Sequence, residues 1–372
     1  MISYKKYYSI KPEFHQKDHI LEKARKALLS PIPHITDAVA LQSCGDIHDY
    51  YSNGDYWWPN PETSDGLPYI RRDGETNPHN FNEHRILLRR MRTNLVYISA
   101  AFQLTREEKF ADQGVRILKE FFLDQETCMN PHLSYAQAIP GVCEGRGIGI
   151  IDTLHLIDVP FAIEVLHASK YMSEAMYQEL KNWFRKYLGW MLTSPNGIAE
   201  MNEKNNHSVC FFLQAAVFAL FTDNEKIADF CRDQYKQTLL PQMAADGSFP
   251  LELARTKPYN YSIFVLDNMV SLCYLLSKPE DNLWEYTLPN SAGIQTGLDF
   301  LTPFLLDKTS WPYRRDIMHF DAFPARTSFM VLAGYTLGRQ KLIQLYESLP
   351  LETADEEARR NIAIRIPWLW MV

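Results

Sequence analysis

Residues 208–221 leave this chain little choice of architecture. Read as a helix, the stretch through Val209-Cys210-Phe211-Phe212-Leu213 is apolar on nearly every side, and such a helix belongs inside a protein, not on its surface. It starts in a dense polar knot, Asn202-Glu203-Lys204-Asn205-Asn206-His207-Ser208. Asn206 and His207 therefore sit where polar groups are costly to bury unless they bond something. Taken alone, the stretch reads as a capping Asn and a satisfied core histidine. The rest of the chain shifts the balance towards function.

A helical period governs most of the sequence from residue 83 onward. Ile86, Leu87, Met91, Leu95 and Ile98 mark one face, and Phe110, Val115, Leu118 and Phe122 another. Similar patterns recur near 157–171, 173–193, 208–221, 224–240, 262–277, 295–306 and 325–347, after a short helix at 17–30. Strand-like alternation is nearly absent. Consecutive helices, alternate ones almost wholly apolar, suit an all-α chain folded as an α/α toroid. No linker-like run divides residues 1–372, so a single domain is expected.

Composition narrows the function classes. Hydrophobic residues make up 46% and charged ones 22%, which is ordinary for a soluble domain. The net charge of −7 and the lack of a basic run argue against a nucleic-acid partner. No apolar run approaches the roughly 18 residues of a membrane span, and the first residues carry no apolar core of a signal peptide. Six scattered cysteines without a C-x-x-C pair indicate neither zinc nor a disulfide framework. Aromatic residues reach 13%, enough to fill core volume and also to stack on sugar rings.

The chemistry gathers on connections between helices. Residues 43–82 form a long irregular segment with Asp55-Tyr56-Trp57-Trp58-Pro59-Asn60-Pro61 and Gly66-Leu67-Pro68-Tyr69-Ile70-Arg71-Arg72-Asp73-Gly74. Loops this long are functional or disordered, and the aromatic content speaks against disorder. Further polar knots lie at 128–152, at Asp246–Tyr261 and at Trp311-Pro312-Tyr313-Arg314-Arg315-Asp316. His15 and His19 have the i, i+4 spacing of metal ligands but no third ligand, so no metal or other cofactor is expected. Gly145-Arg146-Gly147-Ile148-Gly149 follows no strand pattern and is a weak phosphate-loop match. Glu203 and Glu252 are candidates for a hydrolytic carboxylate pair, but nothing in their spacing links them.

Asn, His, Arg and Tyr together have a chemical logic of their own. Breaking a uronic-acid polymer by β-elimination requires removal of the proton at C5, next to a carboxylate. Amide, imidazole and guanidinium donors aimed at that carboxylate stabilise the enolate-like intermediate. A Tyr or His takes the proton, and a Tyr returns one to the departing O4. As a base, Tyr needs a nearby cation to favour tyrosinate, and Arg255 lies a few residues from Tyr259 and Tyr261.

The segments quoted from 55–61 and 66–74 resemble the alginate lyase superfamily. So do Tyr135-Ala136-Gln137-Ala138-Ile139-Pro140-Gly141, the run Gly145–Thr153, and Asn205-Asn206-His207. The resemblance spans roughly residues 45–335 and implies an α/α toroid or incomplete barrel that cleaves a uronic-acid polymer by β-elimination. Carried over residue by residue, it makes Asn206 and His207 the pair that contacts the substrate carboxylate, and Arg255 the family's arginine. Tyr261 is the catalytic tyrosine, with Tyr259 in reserve because the spacing departs slightly. Tyr69, Trp57, Arg71, Arg72, Tyr135, Gln137, Arg146 and Arg314 are expected to bind the anionic polysaccharide. The family implies a periplasmic or secreted enzyme, although no leader is visible and a cytoplasmic location stays open. Alginate is the leading substrate and glucuronan the alternative. A glycoside hydrolase on the same toroid and an inactive glycan-binding module are the rivals.

Overall fold

The structure is a computed structural model that describes residues 16–371. About 57% of the protein is helical. The described residues fall into two compact units, 16–200 and 201–371.

Unit 1 holds α1 (Lys17–Leu28), α2 (Glu83–Thr105), α3 (Glu108–Phe122), α4 (Asp158–His167) and α5 (Glu174–Thr193), with the short α6 (Pro195–Met201) at its end. α2 packs against α1, α3 and α4. It buries Met91, Leu95 and Ile98 of the face read from the sequence, but Leu88 takes the inward place expected of Ile86 and Leu87: Ile86 is 52% exposed and Leu87 half-buried. The irregular segment is pinned by very short strands. β1 (Tyr51–Asn53) pairs parallel with β4 (Tyr135–Ala138), and β2 (Trp57–Trp58) pairs antiparallel with β3 (Ile70–Arg71). Strands of two to four residues are too short to show alternation, which is why the sequence gives no sign of them. The glycine run expected as loop enters a 3₁₀ segment, Gly147–Ile157. Its glycines serve packing: a Cβ on Gly149 would lie 2.6 Å from the Ala136 carbonyl oxygen.

Unit 2 is built on α7 (Asn206–Phe221), α8 (Glu225–Gln234), the single turn α9 (Pro250–Leu253), α10 (Pro258–Leu276), α11 (Ile294–Leu306), α12 (Ser328–Thr336) and α13 (Gln340–Ser348), followed by α14 (Glu356–Arg360) and α15 (Pro367–Trp370). α7 packs against α8 and α10, and α10 against α11 and α12. Every residue of α7 except His207 is buried. Each of its Phe and Leu side chains contributes about 1.5–3 kcal/mol by leaving water. Truncating one, as in Phe211→Ala, costs about 3–5 kcal/mol.

Three boundaries differ from the sequence reading. The pattern at 325–347 breaks into α12 and α13 at Gly338, whose φ of 65° is left-handed. The pattern at 224–240 leaves α-geometry in a π turn at Tyr235–Leu239, ahead of Pro241. α10 begins four residues earlier than its apolar period, at Pro258 in the first turn, where a proline loses no hydrogen bond. Tyr259 and Tyr261 therefore stand in a helix's first turn and not in a loop. No helix among the described residues is long and apolar enough to cross a membrane.

Candidate active site

Two almost fully buried helices frame the chemistry of unit 2. In α7 the single residue that is not buried is His207, and in α10 only Tyr261 and Tyr274 are not. Both helices thus bring a polar, titratable side chain to a partly open position in their first turn. The N-cap of α7 is Asn205, whose side-chain oxygen accepts from the His207 amide at 3.0 Å. Capping is therefore done by Asn205, and Asn206 is left for another task.

That task is visible in the bonds of Asn206. Its Nδ2 donates to both carboxylate oxygens of Glu252 at 2.9 Å, and its backbone N–H donates to Oε1 at 2.7 Å. Glu252 is 1% exposed. Burial pushes its carboxyl above the ordinary range, opposed by the Asn206 hydrogen bonds and by the charges of Arg255 and His207. A carboxylate held this way is sealed from solvent, so Glu252 does not serve as half of a hydrolytic pair.

Arg255 follows α9 by two residues. Its guanidinium carbon lies 4.7 Å over the Tyr261 ring, with Nη2 at 3.5 Å from the phenol oxygen. Tyr259, two residues away on α10, faces the other way. It is fully buried and its hydroxyl donates to the Phe304 carbonyl at 3.0 Å. Burial, with the Asp316 charge adding to it, raises the Tyr259 phenol further from ionisation. Asp316 fixes this end of α10 by accepting from the backbone N–H groups of Tyr259 and Asn260 at 2.8 and 3.0 Å, two donors that a helix start otherwise leaves unpaired. Burial raises Asp316 to about 6. The exposed Arg314 donates to the Arg255 carbonyl at 2.5 Å, so it braces the same corner.

Within unit 1, several residues expected to bind polymer share contacts. Gln137 and Arg146 are parts of one network. Arg146 donates to the Gln137 carbonyl and side-chain oxygens, both at 3.0 Å, while its guanidinium lies 5.6 Å from the Trp57 ring. Burial lowers the Arg146 pKa. Gln137, at a φ of 50°, donates to Asp152 at 3.2 Å. Asp152 also accepts from Ser52 at 2.6 Å and from Arg85 Nε at 2.9 Å. Arg85 reaches Asp55 at 2.6 Å as well. Burial alone would lower Arg85, but Asp152 and Asp55 more than reverse this. Arg71 and Arg72 are exposed; Arg71 pairs with Asp73 at 2.7 Å and Arg72 lies 4.9 Å over the Trp58 ring. Tyr69 and Tyr135 are half-buried, Tyr69 anchored through its backbone to the Pro140 carbonyl.

The sequence reading missed Arg85 as the hub of that network and Glu252 as the partner of Asn206. The signal for Glu252 was its place three residues before Arg255; an arginine on the apolar-patterned α2 gives no such sign. His15 lies outside the described residues, and His19 stands edge-on to the Tyr97 ring at 6.0 Å. No group of three or more His, Cys, Asp or Glu among the described residues is placed to hold a metal ion.

The fold and its known relatives define the class: this is an α/α-toroid polysaccharide lyase. The alginate lyase family profile matches residues 34–311. An alginate lyase from Bacteroides ovatus is 32% identical, with a TM-score of 0.83 over 93% of this chain and 92% of that one. Alginate lyase A1-III from Sphingomonas species A1 is 13% identical, with a TM-score of 0.59 over 89% and 90%. A single-residue variant of that enzyme complexed with a tetrasaccharide matches with the same score and identity over 89% of each chain. These last two bear on the fold alone. No curated protein sequence matches. The chain belongs to the alginate lyase family.

Proposed function

We propose that the protein depolymerises alginate by β-elimination, leaving a 4,5-unsaturated uronate at the new non-reducing end. The observation that carries this reading is the contact between Arg255 and Tyr261 at the open corner of an otherwise buried helix. A cation beside the phenol favours tyrosinate, and the same cation faces a polyanionic substrate. In this account Asn206 and His207 neutralise the substrate carboxylate, so that charge moving onto it from C5 is stabilised. Tyr261 takes the C5 proton and returns a proton to the departing O4.

One tyrosine serves both steps in mannuronate, where the C5 hydrogen and the C4 oxygen lie on the same side. Guluronate is inverted at C5, and there His207 takes the proton while Tyr261 remains the donor to O4. Glucuronate shares the C4 and C5 arrangement of mannuronate, which makes glucuronan the comparison substrate. Tyr259 is set aside because its hydroxyl is committed to Phe304. Arg71 and Arg72 are assigned to polymer binding in their own right, and the whole chain to one lyase domain. Such an enzyme meets its polymer outside the cytoplasm, which fractionation of the producing cells checks.

The test is incubation with alginate, glucuronan and heparosan while following the ultraviolet absorbance of unsaturated uronates. Alginate is expected to give the fastest rise, and the rate to survive a chelator because Arg255 and His207 supply the neutralising groups. New reducing ends without absorbance would sink the lyase reading. Loss of activity in chelator, restored by a divalent ion, would sink the metal-free mechanism.

A further inference from the structure

We infer that Glu252 is a positioning residue that orients the Asn206 amide for the reaction. The inference rests on the elimination mechanism above but stands on geometry of its own. An asparagine side chain ends in a donor and an acceptor of nearly equal size, so only its hydrogen-bond partners decide which way it points. Here both oxygens of one carboxylate lie 2.9 Å from Nδ2. Turning the amide over would set Oδ1 against those oxygens, acceptor against acceptor, between two residues only 1% and 4% exposed. The backbone N–H of Asn206 gives the same carboxylate a third bond at 2.7 Å, so the side chain and the helix start are fixed together.

The two oxygens of one carboxylate subtend a small angle at Nδ2. A single N–H shared between them satisfies both contacts, and the amide keeps its second hydrogen for a substrate carboxylate. Without this partner, Asn206 would meet the anionic substrate with its carbonyl as readily as with its N–H. Glu252 comes from α9 and Asn206 from α7, so the lock ties the first turn of the buried helix to the segment that carries Arg255. The other charged groups acting on Glu252 are Arg255, after α9, and His207, on α7.

Glu252→Gln tests this, because it keeps the shape and one acceptor while removing the second. The variant is expected to fold, to keep KM, and to lose about 10²-fold in kcat, the scale of a misplaced catalytic group. In an Asn206→Ala background the same change should cost nothing further, since its effect runs through Asn206. An unchanged kcat in the single variant, or a full additional loss in the double variant, would overturn the inference. A second readout needs no turnover. In wild type the Asn206 side-chain amide resonances should shift as Glu252 titrates, and in Glu252→Gln that titration should vanish. Resonances that ignore the titration would overturn the orienting role. Moving resonances in a protein that cleaves no polymer would instead overturn the lyase reading and leave the orientation standing.

Discussion

Asp152 in unit 1 and Glu252 in unit 2 are enclosed carboxylates with different partners. In unit 1 the Asp152 carboxylate takes bonds from Arg85, Ser52 and Gln137, and Arg85 is shared with Asp55. Charge there is matched by charge, which holds the irregular segment 43–82 to α2. In unit 2 the Glu252 carboxylate takes its bonds from an amide, while Arg255 lies against the Tyr261 ring. Arg85 is held between two aspartates, whereas Arg255 lies over a phenol and its charge also acts on Glu252. The difference sets Arg85, hidden in the pattern of α2, apart from Arg255, which the sequence places beside the candidate tyrosines.

The comparison is most exposed at Tyr261. Tyr261→Phe keeps the ring and removes the hydroxyl, so kcat should fall by about 10²–10⁴-fold on every substrate. Tyr259→Phe should leave kcat near wild type and cost stability instead, because it removes the hydrogen bond from the buried Tyr259 to the Phe304 carbonyl. Steady-state kinetics on the two variants decides between them. A dead Tyr259→Phe beside an active Tyr261→Phe would transfer the role to Tyr259.

Asp152→Ala probes the other region. It leaves Arg85, which is 6% exposed, without one of its two anions, and breaking a buried pair costs about 3–5 kcal/mol. Urea unfolding should show that loss. Glu252→Gln, which replaces a carboxylate bonded to an amide, should hardly move the midpoint. Equal losses in both would erase the distinction between the two regions.

A smaller effect is expected at Asp267, a fully buried carboxylate of unit 2 whose Oδ1 accepts from Ser328 Oγ at 2.6 Å and the Phe329 N–H at 2.7 Å. Burial, against those bonds, raises it to about 6. Its folded pKa lies above the unfolded value, so the fold favours the protonated form. That contribution is fully present below about pH 4 and is lost as pH rises through about 6. Asp267→Asn should flatten the stability profile across this window by at most about 3 kcal/mol. A profile as steep as wild type would show that Asp267 is not its source.

The smallest effects belong to Arg71→Ala and Arg72→Ala. Both side chains are exposed, and exposed charge pairs are worth about 0.2–1 kcal/mol. Each variant should raise KM a few-fold, leave kcat, and weaken the salt dependence of binding. A KM indifferent to both arginines and to salt would remove them from polymer binding.

Much of this was legible in the sequence for definable reasons. α7 announces itself because a helix buried on all sides must be apolar on all sides, and the one residue it leaves unburied, His207, stands out in the polar knot at its start. Arg255 and Tyr261 were legible as residue types whose chemistry fits elimination. What stayed hidden was partnership across long sequence separations: Glu252 with Asn206, Asp316 with the start of α10, Arg85 with Asp152. A hydrogen bond between residues tens of positions apart has no period and leaves no local pattern. The start of α10 was misplaced for the same reason, since its first turn is capped by Asp316 and not by a neighbour in sequence.

The central claim is elimination without water, and the most direct measurement is the mass of the fragments from a saturated alginate oligosaccharide of defined length. The account predicts product masses that add up to the substrate alone, with the fragment bearing the unsaturated uronate lighter by one water than its saturated counterpart. It also predicts that Tyr261→Phe suppresses these products. Fragments whose masses add up to the substrate plus one water would contradict it.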